Sequence, residues 1–287
     1  MKTHNPSAPI GIFDSGVGGL SVLGAIEQRL PSETLIYLAD QVHVPYGPRP
    51  LEEVRTYAEQ ITRFMLIQGA KMIVVACNTA SAAALHHLRL KYPRIPFVGM
   101  EPAVKPAAER TKSGVVGVLA TPATFQGALY ASVVERFAND VTVLQHTCPG
   151  LVAQIERGEL DTPATKAILE EALQPMLDRG IDTVVLGCTH YPFVIPFIQD
   201  IVGADVRVID PAPAVARQVE RVLAAHMINH PGPDQQMTRY LTTAKPERLA
   251  KLLPILMGED YLVEKVKWGS DGLDLPKGID PLPDNLT

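Results

Sequence analysis

The chain has 287 residues, 46% hydrophobic and 20% charged, an ordinary globular composition with length enough for two cores. A net charge of −5 leaves no basic footprint for nucleic acid, and no apolar run reaches the roughly 18 residues of a membrane span. The opening MKTHNPSAPI lacks the apolar stretch of a secretion signal, so a cytoplasmic protein is expected; three cysteines at spacings unlike a zinc site then leave thiol chemistry or plain burial rather than disulfides.

In chain order, a strand over Ile10 to Asp14 breaks into Ser15-Gly16-Val17-Gly18-Gly19 and a helical pattern carrying Leu20, Leu23, Ile26 and Leu30. Strand, glycine-rich turn and helix make a corner suited to anions. A dinucleotide site is disfavoured, because position 21 is Ser where that fingerprint needs Gly, and Asp14 puts an acid where phosphate would approach. A second strand, Thr34 to Ala39, leads through Asp40 to the loop Val44-Pro45-Tyr46-Gly47-Pro48, whose prolines fix its shape; taken alone it is a turn with Tyr46 half buried. A helix from about Leu51 to Gln68 precedes the apolar run from Met72, which empties into Cys77-Asn78-Thr79, with Thr79 a fair N-cap for a helix carrying Ala82 to Leu90. Pro96 to Gly99 is a short strand, and a second lobe is expected to begin near it.

Val115 to Thr121, followed by a helix from about Pro122, echoes the opening strand. Val141 to Gln145 is a strand, Pro149 to Arg157 a helix ended by Gly158, and Thr162 to Arg179 a longer helix with Pro175 as a kink or break. The run from Thr183 empties into Gly187-Cys188-Thr189-His190, and Asp205 to Ile209 closes the second set of strands. A helix from about Pro213 to His226 is followed by a loop over 230 to 234; strands near Gln236 to Thr242 and Tyr261 to Lys267, around a helix from Pro246 to Leu256, return to the first lobe. From Gly269 onward glycine, proline and aspartate dominate, a composition with little to bury that suits a disordered tail. The expectation is an α/β fold of two similar lobes, each a mainly parallel sheet flanked by helices, with the active site in the cleft between them. Residues 1–98 and 209–268 make the first lobe, 99–208 the second, and 269–287 the tail.

Two places in this pattern carry chemistry. Cys77 and Cys188 each sit just past a buried β-branched run, at the carboxyl end of a strand and beside a helix N-terminus, where α/β sheets bind ligands and oriented N–H groups favour a thiolate. Two similar lobes would then each offer one thiol to one cleft. Two structural thiols are the alternative, since free cysteine is often a small core residue. Cys148 has no reactive neighbours in sequence and reads as structural.

The segments IGIFDSGVGGLSVL, VPYGPRP, VVACNTASA, GVLATPATF and VVLGCTHYPF, in this order, resemble the glutamate racemases of the cofactor-independent aspartate/glutamate racemase superfamily, over about residues 9 to 267. The resemblance implies L- and D-glutamate interconverted without cofactor or metal, for peptidoglycan synthesis. It implies Cys77 as the base acting on D-glutamate, Cys188 as the base acting on L-glutamate, and Asp14 and His190 as assistants beside them. Glu156 stands where the family carries a further carboxylate, but GLVAQI before it departs from the usual aromatic and proline pattern, and a solvated helix end is the alternative. Substrate contacts would come from Ser15, Tyr46, Gly47, Asn78, Thr79, Thr121, Thr124, Thr189 and His190, with Asp14 available to the ammonium; Gly127 stands where serine is common.

The chemistry of the residues agrees. Racemising an amino acid requires removing the Cα proton from one face and delivering one to the other, which two opposed thiols of reference pKa about 8.5, lowered by helix N-termini and neighbours, can do. No lysine in a pyridoxal-phosphate context and no metal-ligand cluster is evident, so the pocket itself must stabilise the carbanion. Aspartate racemase is the nearest rival, although relatives acting on other substrates often have Glu where this chain has His190. An amino-acid binding protein would share the two lobes and have no need of the cysteine pair. Family members often form homodimers, and no helix face here decides that. Some are activated by a cell-wall precursor through an N-terminal extension, a mode not expected with nine residues before Ile10.

Overall fold

The apolar runs become strands buried on both faces, as parallel sheets covered by helices require. A computed structural model describes residues 5–138, 140–232, 237–270 and 272–274. In chain order the elements are β1 (Ile10–Asp14), α1 (Leu20–Arg29), β2 (Leu35–Ala39), α2 (Leu51–Ile67), β3 (Met72–Val75), α3 (Asn78–Lys91), β4 (Phe97–Gly99) and α4 (Val104–Ala108). Next come β5 (Val115–Ala120), α5 (Pro122–Gln126), α6 (Ala128–Phe137), β6 (Thr142–His146), α7 (Leu151–Ile155), α8 (Pro163–Leu177), β7 (Thr183–Gly187), a 3-10 turn (Tyr191–Val194), α9 (Ile195–Val202) and β8 (Arg207–Ile209). The chain ends with α10 (Ala212–His226), β9 (Thr238–Thr242), α11 (Pro246–Met257), β10 (Val263–Lys265) and a hairpin of β11 (Trp268–Gly269) and β12 (Gly272–Leu273).

The first sheet has six strands in the order β10-β9-β2-β1-β3-β4, every pairing parallel. The second has four, β6-β5-β7-β8, also parallel throughout. The order β2-β1-β3-β4 is that of β6-β5-β7-β8, so the sheets repeat one topology, and β9 and β10 extend only the first. In such open sheets the crevice lies where strand order reverses, between β1 and β3 and between β5 and β7. Cys77 follows β3 and Cys188 follows β7. One apolar cluster runs from Ile12, Leu23 and Val74 to Leu119, Leu151 and Leu186, so the lobes share a core.

Several local expectations are corrected. Helix α3 starts at Asn78, with Cys77 rather than Thr79 as its N-cap: the Cys77 sulfur accepts the Ala80 N–H at 3.4 Å. The helix expected from Pro122 divides at Gly127, whose ψ of 137° is extended. Helix α7 covers only five residues, and α8 continues through Pro175, which lies in its last turn. The start of the tail is folded: Leu273 is buried, and it and Trp268 belong to the core that includes Val54, Ile61 and Phe64 of α2. The rest of the tail expectation, residues 275–287, lies outside the described residues, as do Gln236 and positions 233 and 234 of the expected loop. Among the described residues no helix is long and apolar enough to cross a membrane.

Asp182, at the foot of β7, ties down the segment entering β5: it accepts from the Thr111 hydroxyl at 2.7 Å and from the backbone N–H groups of Lys112 and Ser113 at 2.5 and 2.8 Å. Partial burial works against its charge, but these bonds and that of Thr183 outweigh it and pull its pKa from 3.8 to about 2. A depressed folded-state pKa means stabilisation that is present above the unfolded value and lost as pH falls from 3.8 through about 2. Asp182→Asn should therefore lower the unfolding free energy at neutral pH by about 1–2 kcal/mol. The gap from the parent protein should close in acid, as denaturant titrations at neutral pH and below the ordinary carboxylate pKa would show; an unchanged gap would refute the assignment.

Candidate active site

Segments that follow strands of both sheets line one cavity of about 260 Å³. From the first sheet come Ser15, Tyr46, Gly47, Cys77, Asn78 and Thr79; from the second come Thr121, Cys188, Thr189 and His190. Helices α3 and α5 begin at this rim, so free backbone N–H groups and the positive ends of two helices point towards it. Asn78 is buried, and neither its amide nitrogen nor its amide oxygen has a protein partner. Buried polar atoms are rarely left so, which points to a ligand that supplies both an acceptor and a donor.

Beside Cys77 stands a carboxyl group. Asp14, fully buried at the end of β1, is close enough to the Cys77 thiol to act on its charge, and accepts the Gly19 N–H at 2.8 Å. Burial, then the charge of Asp14, push the Cys77 thiol well above its ordinary value, against the N–H of Ala80. The expected lowering of a helix-capping thiol is thus not met at Cys77. Burial also raises Asp14, opposed by the charge of His190 and by its hydrogen bonds.

Beside Cys188 stands an imidazole backed by a carboxylate. His190 Nδ1 lies 3.8 Å from the Cys188 sulfur, and its Nε2–H donates to Glu156 Oε1 at 2.9 Å. Burial pulls the imidazolium down, but the hydrogen bonds and charges of Cys188 and Glu156 outweigh that and leave His190 well above its ordinary value. Glu156, itself penalised by burial, is held below its usual range by His190, by the Val17 N–H and by Gln41. It is no solvated helix end. Its carboxylate also takes the Val17 N–H at 2.7 Å, the Gln41 amide at 3.2 Å and Arg248 at 3.4 Å, all from elements of the first lobe.

The glycine-rich turn after β1 is the seat for this pair. A methyl group on Gly16 would overlap the Glu156 carboxylate, and one on Gly18 the His190 ring. The lobes also meet where the Thr79, Thr121 and Thr124 hydroxyls form a chain, at 2.8 and 2.9 Å, and where the Ser21 hydroxyl donates to the Thr189 carbonyl at 3.0 Å.

Of the residues singled out in the sequence, Asp14, Thr124 and Glu156 do not line the cavity; they stand behind Cys77, Thr121 and His190. Sequence reasoning passed over Thr147, Gly150, Val152 and Tyr191, which complete the wall, and over Gln41 and Arg248. Cys148 is buried as expected, with burial pushing its thiol up to about 12, yet it also lines the cavity. It follows β6 much as Cys188 follows β7, so the strand-end argument used for the other two thiols would have found it. Among the described residues no group of three or more His, Cys, Asp or Glu is placed to hold a metal ion.

Residues 10–219 match the Asp/Glu/Hydantoin racemase family. A glutamate racemase of Pseudomonas aeruginosa is 53% identical over 260 residues, covering 91% of this chain and 98% of that protein. A glutamate racemase isoform of Bacillus anthracis superposes with a TM-score of 0.82 at 32% identity, over 93% of this chain and all of that one. The glutamate racemase of Francisella tularensis, in complex with D-glutamate, does so with a TM-score of 0.80 at 28% identity, over 91% and 98% of the two chains.

The His190–Glu156 pair can be read directly by NMR. Ring nitrogen and carbon shifts of His190 should be those of an imidazolium through neutral pH, since its folded-state pKa is raised. Glu156→Gln removes one of the two groups that raise it, so the midpoint should fall. An unchanged midpoint would mean that Glu156 does not set the charge of the ring.

Proposed function

Because the chain belongs to the Asp/Glu/Hydantoin racemase family, as an amino-acid racemase, we propose that it interconverts L- and D-glutamate by proton transfer between Cys77 and Cys188, without a cofactor. The observation that carries the mechanism is that these two thiols, from matching positions in two sheets of one topology, line a single cavity. With the substrate Cα between them, the Cys188 sulfur in its anionic form takes the proton of L-glutamate: an S–H bond forms and the C–H pair moves onto Cα and its carboxylate. The Cys77 thiol then gives its proton to the opposite face, its S–H bond breaks, and D-glutamate results. The reverse reaction exchanges the roles.

The surroundings suit this division. Burial and Asp14 keep Cys77 a thiol, ready as the acid, while the His190 imidazolium faces Cys188 and stabilises negative charge there. The carboxamide of Asn78, the hydroxyls of Ser15, Thr79, Thr121 and Thr189, and the helix N–H groups suit two carboxylates and the charge that grows on one of them in the transition state. Tyr46 and Gly47 close the wall, and Thr124 orients Thr121. We place the activity in the cytoplasm, supplying D-glutamate for peptidoglycan.

Purified protein, with no added cofactor and after EDTA treatment, should bring the circular dichroism signal of either enantiomer of glutamate to the racemic level. Aspartate should react far more slowly, because a side chain one methylene shorter cannot meet both sets of carboxylate donors while presenting Cα to both thiols; about 1 Å of misplacement can cost about 100-fold. Equal efficiency on the two substrates would remove the case for glutamate.

Cys77→Ser and Cys188→Ser should each abolish nearly all racemisation, since both thiols take part in every turnover and a serine hydroxyl is a poor base at neutral pH. β-Chloroglutamate needs only one base, because loss of chloride follows a single proton removal. Cys77→Ser should keep elimination from the L-like substrate and Cys188→Ser from the D-like one. Two variants with the same preference would overturn the opposed arrangement.

A further inference from the structure

The wall made by Tyr46 and Gly47 is held by a carboxylate that the steps above do not use. Asp40 follows β2 at the same rim as Asp14, whose carbonyl accepts its backbone N–H at 2.9 Å, and it is fully buried. Four donors reach it from three separate stretches of chain. On Oδ2 the Tyr46 hydroxyl donates at 2.6 Å and the His43 Nδ1–H at 2.9 Å. On Oδ1 the Thr243 hydroxyl, just past β9, donates at 2.8 Å, and the indole N–H of Trp268, in the C-terminal hairpin, at 2.8 Å. The His43 ring stacks on Tyr57 at 4.0 Å between centroids, and Trp268 meets His43 and Tyr57 edge-on at 5.0 and 5.6 Å.

Hydrogen bonds to a buried carboxylate are strong and directional, so donors on one oxygen constrain how the other can be approached. The loop is also held from the opposite side. The Gly47 carbonyl accepts the Ala123 N–H at 3.2 Å, and a Cβ on Gly47 would lie 2.8 Å from that of Thr121. Contact is therefore continuous from the C-terminal hairpin, through Asp40 and the Tyr46-Gly47 wall, to the second lobe.

We propose that Asp40 and Trp268 are positioning residues for the substrate: the indole N–H and Thr243 fix one oxygen of Asp40 so that the other holds the Tyr46 hydroxyl and the cavity wall in register. This rests on the racemase reading, which the activity of the unaltered chain tests separately, before any variant is compared. Trp268→Phe removes the N–H while keeping an aromatic ring against His43 and Tyr57. It should raise KM for both enantiomers by about fivefold, the factor one modest hydrogen bond carries, with kcat within about twofold of the parent. Thr243→Val, which removes the other donor on the same oxygen from a different element, should do the same, and it decides the matter if Trp268→Phe fails to fold by far-UV circular dichroism. A lower melting temperature with unchanged KM would make these residues ordinary packing and overturn the proposal. So would a fall in kcat alone.

Discussion

A single buried carboxylate, that of Glu156, organises the cleft. It is anchored in the second lobe, yet three of its four partners, the Val17 N–H, Gln41 and Arg248, belong to the first; the fourth is His190. A buried charge is tolerated only when its hydrogen-bonding capacity is filled, and here that condition can be met only with the lobes in contact. The same interaction that seats the lobes therefore orients the imidazole and favours its charged form. Shape and electrostatics in this cleft are not separable.

The two halves show how little topology fixes chemistry. β1 and β3 correspond to β5 and β7, and each pair delivers a cysteine to the same cavity. Cys77 nevertheless has a carboxyl group as its neighbour, while Cys188 has an imidazolium backed by a carboxylate. Burial and the neighbouring carboxyl disfavour the anion at Cys77, whereas the group facing Cys188 is the His190 ring. A duplicated scaffold supplies symmetric geometry; a few side chains beside each sulfur make the two surroundings differ.

Much of this was legible in the sequence because it is local. An apolar β-branched run followed by cysteine and small polar residues marks a buried strand and its carboxyl end, and it did so for Cys77 and for Cys188. What was not legible depends on partners distant in sequence. Glu156 looks like a helix end until Val17 and Gln41 are brought to it. The glycines after β1 suggested an anion site; the anion that the turn takes is the chain's own Glu156 carboxylate, through the Val17 N–H, with room left for His190 beside it. Leu273 sits in a stretch whose composition suits disorder, and it folds because α2 offers it an apolar surface beside Trp268, whose indole N–H finds Asp40. Thr79 was the expected helix cap, since threonine is a preferred N-cap residue, yet it is the Cys77 sulfur that holds the Ala80 N–H.

The close fit at Gly16 and Gly18 bears on how such a chain can change. Neither position is left-handed, so backbone freedom is not what demands glycine there; the demand comes from side chains on the other lobe. A bulkier residue at Gly16 would be tolerable only if the acid across the gap withdrew, and one at Gly18 only if the imidazole did. Each glycine and its counterpart thus form a compensating couple, whose members can drift only together although they lie in different lobes. Within this fold the turn acts as a gauge of lobe separation, and its composition records a distance.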